Sequence, residues 1–381
     1  MPVSRLADES IRTFFRDRRR VAATASSRTM SAVADRRRAM SARLGHVLTG
    51  LLVAFLLCGF AQAQGAGALP SWNDGPAKAR IIAFVQAVTD PGSSDFVAPA
   101  DRVAVFDNDG TLWSEQPMYF QLAFAVDRAK AMVANDPGLA QNPVFKAAAA
   151  GDMRALADSG EKGLLELVAL THAGSTSDAF EQIVREWVGT ARHPTLKRPY
   201  TQLSYAPMRE LLDYLRASGF STWIVSGGGV EFLRVFSDEL YGVPPEQVIG
   251  SSIKTRYEVR EGKPVIVRLP EIDFIDDKAG KPVGIQKFIG KRPIAAFGNS
   301  DGDFEMLEWT TSAPGARLGV LVHHDDAARE FAYDRESHIG RLARGLDEAP
   351  ARGWTIVSVK NDWSRVHEFR RLAGGARGDR N

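Results

Sequence analysis

Cysteine is almost missing from this chain: Cys58 is the one such residue among 381. It lies in an apolar run that reads as part of a removable segment, so the remaining chain would carry no thiol. That excludes disulfide staples, zinc–thiolate centres and a thiol nucleophile, and leaves stability to the packed core. Lysine is absent from residues 1–63, which hold 11 arginines and 4 acidic residues. Of 48 basic and 46 acidic side chains, residues 64–381 therefore keep 37 and 42. The overall charge of +2 hides a mildly acidic body, which argues against a general nucleic-acid binder. No apolar run is long enough for a confident membrane span, and no internal repeat is visible. A hydrophobic content of 44% is ordinary for a globular chain, and the length allows two or three domains' worth of core.

The arginine-rich start leads into a short apolar stretch, residues 47–57, and then Ala61-Gln62-Ala63. A basic region, an apolar core and a small-x-small site make a secretory signal, with cleavage expected after Ala63. A retained anchor is the alternative, and it would be the chain's one tie to a membrane. Leu57 is too bulky for a lipoprotein signal at Cys58, and Arg36-Arg37-Arg38 hints at twin-arginine export. The expected location is periplasmic or secreted.

Residues 103–106, Val-Ala-Val-Phe, read as a strand buried on both faces. The run stops at Asp107 and Asp109, with Gly110 and Thr111 next. In an open α/β sheet, chemistry sits where strands end. Asn108-Asp109-Gly110 is also turn-forming in its own right. Before this strand, residues 76–88 have helical spacing. After it, residues 115–205 show apolar residues three and four apart, as in Phe120, Phe124 and Met132, or Phe180, Val184 and Trp187, and no convincing strand. Further strands are expected at 220–225, 248–253, 293–297, 318–322 and 354–359, with a hairpin pairing 257–259 and 265–267. Helices are expected at 208–217, 230–240 and 285–289, and the tail from Ala373 reads as frayed.

The fold class expected is α/β, a doubly wound, mainly parallel sheet with an inserted helical cap. Residues 1–63 would be extension and signal, 64–114 and 206–381 the α/β core, and 115–205 the cap.

Several strand ends carry complementary chemistry. Asp107 and Asp109 offer carboxylates. Ser226 offers a hydroxyl, and Gly227, Gly228 and Gly229 let backbone amides approach an oxyanion. Asn299, Asp301 and Asp303 offer further hard oxygens, which suit Mg²⁺. So many carboxylates cannot converge without a cation.

Taken together, Asp107-Asn108-Asp109-Gly110-Thr111, Ser226 closing its strand, and Gly298-Asn299-Ser300-Asp301-Gly302-Asp303 resemble, in order, motifs of the haloacid dehalogenase superfamily. Its aspartate-nucleophile phosphatases, those similar to phosphoserine phosphatase, match best. The resemblance implies a Rossmann-like core and a Mg²⁺-dependent phosphomonoester hydrolase acting on a small phosphorylated metabolite. Asp107 would attack phosphorus, Asp109 would act as acid and then base, and Ser226 with Thr111, Gly227 and Gly228 would hold the phosphoryl group. The metal would lie among Asp107, the Asp109 backbone carbonyl, Asn299 and Asp303. Asn299 stands where the family usually has aspartate, and Asp301 could compensate. The motif lysine would be Lys278, Lys281 or Lys287, with Lys281 preferred. A phosphotransferase or phosphomutase of the same superfamily, or an exported non-catalytic phosphate-ester binder, is the rival. No protein partner is implied.

Smaller features have weaker readings. Trp113 and Glu115 could line the entrance or pack, and His323 and His324 could bind metal or form a polar loop. Arg198 and Tyr200 could reach substrate or form a hinge.

Overall fold

The computed structural model describes residues 67–369. The expected signal, Cys58, the Ala63 cleavage site and the tail from Ala373 lie outside the described residues. The described residues from Ala68 onward form one compact unit. No helix among the described residues is long and apolar enough to cross a membrane.

The core is an eight-stranded, mainly parallel sheet. Its strands are β1 (Val103–Phe106), β2 (Ser221–Gly229), β3 (Val248–Arg260), β4 (Lys263–Phe274), β5 (Ala295–Gly298), β6 (Leu318–Asp325), β7 (Ala332–Tyr333) and β8 (Thr355–Ser358). The order is β4-β3-β2-β1-β5-β6-β7, with β8 beside β6. Pairings are parallel except β3 with β4 and β6 with β7. The α/β, doubly wound class read from the sequence is thus the class observed.

β1 lies at the centre because both its faces are apolar. Ala104 and Phe106 belong to one buried cluster, with Ile81, Phe84 and Val85 of helix α1 (Pro76–Thr89). Val103 and Val105 belong to the other, with Ile285, Phe304 and Leu307. That alternation is the strand's period of two. Phe106 stacks on Phe297 of β5, ring centroids 4.3 Å apart. Register pairs Phe106 with Ile224 and with Phe297, so the chain leaves β1 between the ends of β2 and β5.

Between β1 and β2 the chain runs through helices α2 (Phe120–Asn135), α3 (Pro143–Ala150), α4 (Met153–Asp158), α5 (Gly160–His172) and α6 (Ser177–Thr190). This segment has its own small core of Val126, Phe145, Leu156 and Leu167. Helices α3 and α4 were not expected. Their alanine-rich sequences carry little periodic contrast, and Asn142 and Asp152 start them by accepting from backbone amides. Helix α7 (Ala206–Ala217) leads into β2.

Two expectations need correction, and one strand has no counterpart among them. Residues 248–260 form one strand, not a strand followed by a separate hairpin arm: its start pairs with β2 and its end with β4. Exposed Lys254, Thr255 and Arg256 gave no apolar signal, yet they stay extended in the ladder. The expected helix 230–240 is broken into α8 (Val230–Arg234) and α9 (Ser237–Tyr241). The short strand β7 went unread because two residues carry no period.

Candidate active site

Lys281 organises the site. It lies in helix α10 (Gly280–Phe288) and is 2% exposed. Its Nζ donates to Asp107 Oδ1 (2.6 Å), Asp303 Oδ1 (2.6 Å) and the Val225 carbonyl (3.0 Å). Burial works to lower its pKa, but the two carboxylates outweigh that and hold it above the usual lysine value. Lys278 and Lys287 are exposed and stand elsewhere: Lys278 near Asp277, Lys287 over the Phe274 and Phe288 rings.

Asp107 follows β1 directly, and its amide donates to Phe297 O (2.9 Å), which continues the β1–β5 ladder. Burial pushes its carboxyl well above the ordinary range; Asp303 adds to this and Lys281 opposes it. Its Oδ2 has no hydrogen-bond partner among the described residues. Asp109 is half-buried and its Oδ1 accepts from Trp113 Nε1 (2.8 Å). Burial raises its pKa, against the hydrogen bond from Trp113. Trp113 itself is buried and packs on Phe120 and Phe236. It therefore both packs and holds Asp109.

Ser226 is fully buried at the end of the regular part of β2, and its Oγ accepts from Gly228 N (3.1 Å). A register shift follows between Ser226 and Gly229, so Gly227 and Gly228 bulge there. The Gly229 amide is taken by Gln121 Oε1 of α2 (2.6 Å).

The turn after β5 is closed by Asp303, fully buried. Its Oδ2 accepts from the amides of Asn299 (3.0 Å) and Ser300 (3.1 Å). A Cβ at Gly298 would sit 2.4 Å from the Asp303 Cβ, so that position requires glycine. Both Asp303 oxygens are thus engaged, one by Lys281 and one by the turn. Asp301 does not face the site: it accepts from the amides of Ala343, Arg344 and Gly345 (2.9 Å for the last), at the start of helix α11 (Arg344–Arg352). The compensation considered for it is therefore absent.

Asn299 Oδ1 accepts from Thr111 Oγ1 (3.0 Å), and its Nδ2 donates to Glu115 Oε1 (2.7 Å). Glu115 is buried, and burial pushes its pKa well up, with Asp109 and Asp107 adding to the rise. Thr111, fully buried, braces Asn299 rather than opening to solvent.

One functional pair was missed by the sequence reading. Buried His324, on β6, sets Nε2 2.7 Å from Gly110 O and Nδ1 2.5 Å from Glu330 Oε1. A carbonyl can only accept, so Nε2 carries a proton. Gly110 has φ +80°, and a Cβ there would meet Asn299 Nδ2 at 2.0 Å. His324 thus fixes the turn that follows the two aspartates. A histidine at a strand end was the available signal, but the partner lies 214 residues away. His323 instead meets Asp334 (3.2 Å). Tyr200 packs between Phe120 and Trp187, and Arg198 lies over Phe369.

The donor set fits a hard divalent cation. Asp107, Asp109, Glu115 and Asp303 act on one another electrostatically, and Lys281 is the cation paired among them. That leaves buried negative charge over, of oxygen donors only. Among the described residues no three His, Cys, Asp or Glu side chains form a ready cluster. The Asp107 carboxylate, the Asp109 carbonyl and Asn299 Oδ1 would hold the ion.

A parallel α/β sheet with carboxylates, a serine and a buried lysine at adjoining strand ends is the arrangement of a haloacid dehalogenase-type core. Residues 104–308 match the family of haloacid dehalogenase-like hydrolases, and the chain belongs to that family. Among solved structures it is similar to a protein of unknown function from Bordetella pertussis Tohama I, at 17% identity over 67% of this chain and 97% of that one, TM-score 0.44. It is similar to a phosphoserine phosphohydrolase-like protein from Francisella tularensis subsp. tularensis SCHU S4, at 18% identity over 66% and 98%, TM-score 0.36. A probable phosphoserine phosphatase from Vibrio cholerae is 16% identical over 68% and 67%, TM-score 0.34. No curated protein matches the chain.

Proposed function

We propose that the chain is a Mg²⁺-dependent phosphomonoester hydrolase that works through an aspartyl phosphate on Asp107. The observation that carries this reading is the Asp107 carboxylate itself. One oxygen is pinned by Lys281 at 2.6 Å while the other has no hydrogen-bond partner among the described residues, at the end of the central strand. A carboxylate so held has one oxygen to spend on bonding to phosphorus and loses little freedom in doing so.

Asp109, two residues on and half-buried, protonates the leaving oxygen and then takes a proton from the attacking water. Its raised pKa suits the acid step, and Trp113 aims it. Ser226 Oγ and the Gly227 amide bind the phosphoryl oxygens, and the Gly228 amide turns to them from Ser226 Oγ. A bound divalent cation would supply charge neutralisation at the phosphoryl group. Lys281 compensates Asp107 before and after transfer.

The substrate is a small phosphate ester, because the helical segment 115–205 follows the nucleophile loop directly and would act as a cap that excludes bulk water. The residues 1–63 pattern supports export to the periplasm or beyond. A phosphate-release screen across phosphorylated metabolites, with and without Mg²⁺, tests the reading. Cation-dependent release that vanishes in Asp107→Asn supports it, and release unaffected by that change refutes it.

A further inference from the structure

Asn299 is neutral, and both ends of its amide are engaged. Nδ2 faces Glu115 Oε1 at 2.7 Å, and Oδ1 faces the Thr111 hydroxyl at 3.0 Å. Glu115 is 2% exposed. Its Oε1 also accepts from the Tyr333 hydroxyl (2.9 Å), while Oε2 has no hydrogen-bond partner among the described residues. No lysine, arginine or histidine pairs with Glu115 among the described residues. Lys281, the cation of the site, is fully used by Asp107, Asp303 and the Val225 carbonyl.

Glu115 is nonetheless held tightly. A Cβ at Gly110 would come within 2.3 Å of Oε1, and one at Gly340 within 1.9 Å. Backbone from two distant parts of the chain has therefore been kept bare to seat it. A buried carboxylate with one open oxygen and no counter-charge is costly to ionise. Its seat beside the nucleophile loop makes sense if a cation joins it there.

We propose that Glu115 supplies the second carboxylate of the divalent-cation site, beside Asp107, with Asn299 serving it as a hydrogen-bond donor. The anionic charge that position 299 lacks thus comes from position 115. This rests on the cation-dependent reading above and goes beyond it by moving a ligand charge to a residue outside the motif pattern.

Calorimetric titration of Mg²⁺ and Mn²⁺ alone into the full chain tests it, in parallel with thermal unfolding. The variants are E115Q, N299D, the double variant E115Q/N299D, and D107N. E115Q is expected to bind roughly 10–100-fold more weakly, and the double variant to regain most of that loss. A folded E115Q with unchanged affinity overturns the proposal. Should E115Q not fold, the double variant decides: natural-like affinity supports the relocation of charge, and lost affinity overturns it. N299D adds a carboxylate facing Glu115, so its unfolding temperature should rise far more steeply with cation than that of the natural chain; an equal rise overturns the proposal. If the natural chain binds neither ion, the cation reading itself fails and takes this proposal with it. Binding lost in D107N but kept in E115Q defeats the proposal alone.

Discussion

Lys281 and Asp107, 174 residues apart, meet through a 2.6 Å ion pair buried under the end of the central strand. The same ammonium holds Asp303 at 2.6 Å. Removing it leaves two buried carboxylates facing each other. Lys281→Met is therefore expected to cost about 3–5 kcal/mol of stability and to cut turnover by about 10²–10³-fold. Urea unfolding and a phosphate-release assay measure the two effects; a variant as stable as the natural chain would contradict the assignment.

Asp109 is expected to matter more for hydrolysis of the intermediate than for its formation, since water needs a base there. In Asp109→Asn, acid-quenched protein mixed with substrate should carry one phosphoryl group by mass spectrometry. The label should map to the peptide holding Asp107 and be absent from Asp107→Asn. A label on a serine or histidine would remove Asp107 from its role.

His324 acts on the reaction through the Gly110 carbonyl, 2.7 Å from its Nε2. His324→Phe leaves that carbonyl short of a donor and Glu330 short of a partner in a buried place, at a cost of about 1–3 kcal/mol. The expected kinetic signature is a fall in kcat with KM little changed, because the group orients the loop and touches no substrate. A rise in KM alone would speak against this.

Asp276 is fully buried, and its pKa is raised to about 7, chiefly by burial and against the pull of Lys281. A carboxyl whose folded pKa exceeds its unfolded value stabilises the fold by staying protonated. That contribution is complete below about pH 4 and fades as pH rises to about 7. Asp276→Asn should therefore gain stability relative to the natural chain between pH 5 and pH 8, by no more than about 4 kcal/mol. Thermal unfolding across that range checks it; parallel curves for the two proteins would show that Asp276 does not titrate there.

Phe106 fills the centre of one core face and stacks on Phe297 at 4.3 Å. Phe106→Ala is expected to cost about 3–5 kcal/mol, read from the denaturant midpoint with an unchanged slope.

Much of the fold was legible because strands buried on both faces leave a mark no other segment does. Val103-Ala104-Val105-Phe106 and Leu318-Gly319-Val320-Leu321-Val322 are apolar runs ended by charged or turn-forming residues, and both are strands. Helices α3 and α4 were illegible, since alanine favours helix without showing which face is buried. The length of β3 was hidden by exposed polar residues that the ladder alone keeps extended.

Sequence alone determined the central strand, the carboxylates at its end, the serine closing the next strand and the order in which they occur. Each is a local matter, set by a few neighbouring residues and the period of a strand. Tertiary structure decided which lysine meets Asp107, that Asp301 starts a helix, that Asp303 serves Lys281, and that Glu115, Asn299, Tyr333 and His324 surround the nucleophile loop. Those contacts join residues up to 218 apart. Sequence spacing carries no record of such distances, because only the stacking of strands in the order β2-β1-β5-β6 brings their ends to one place.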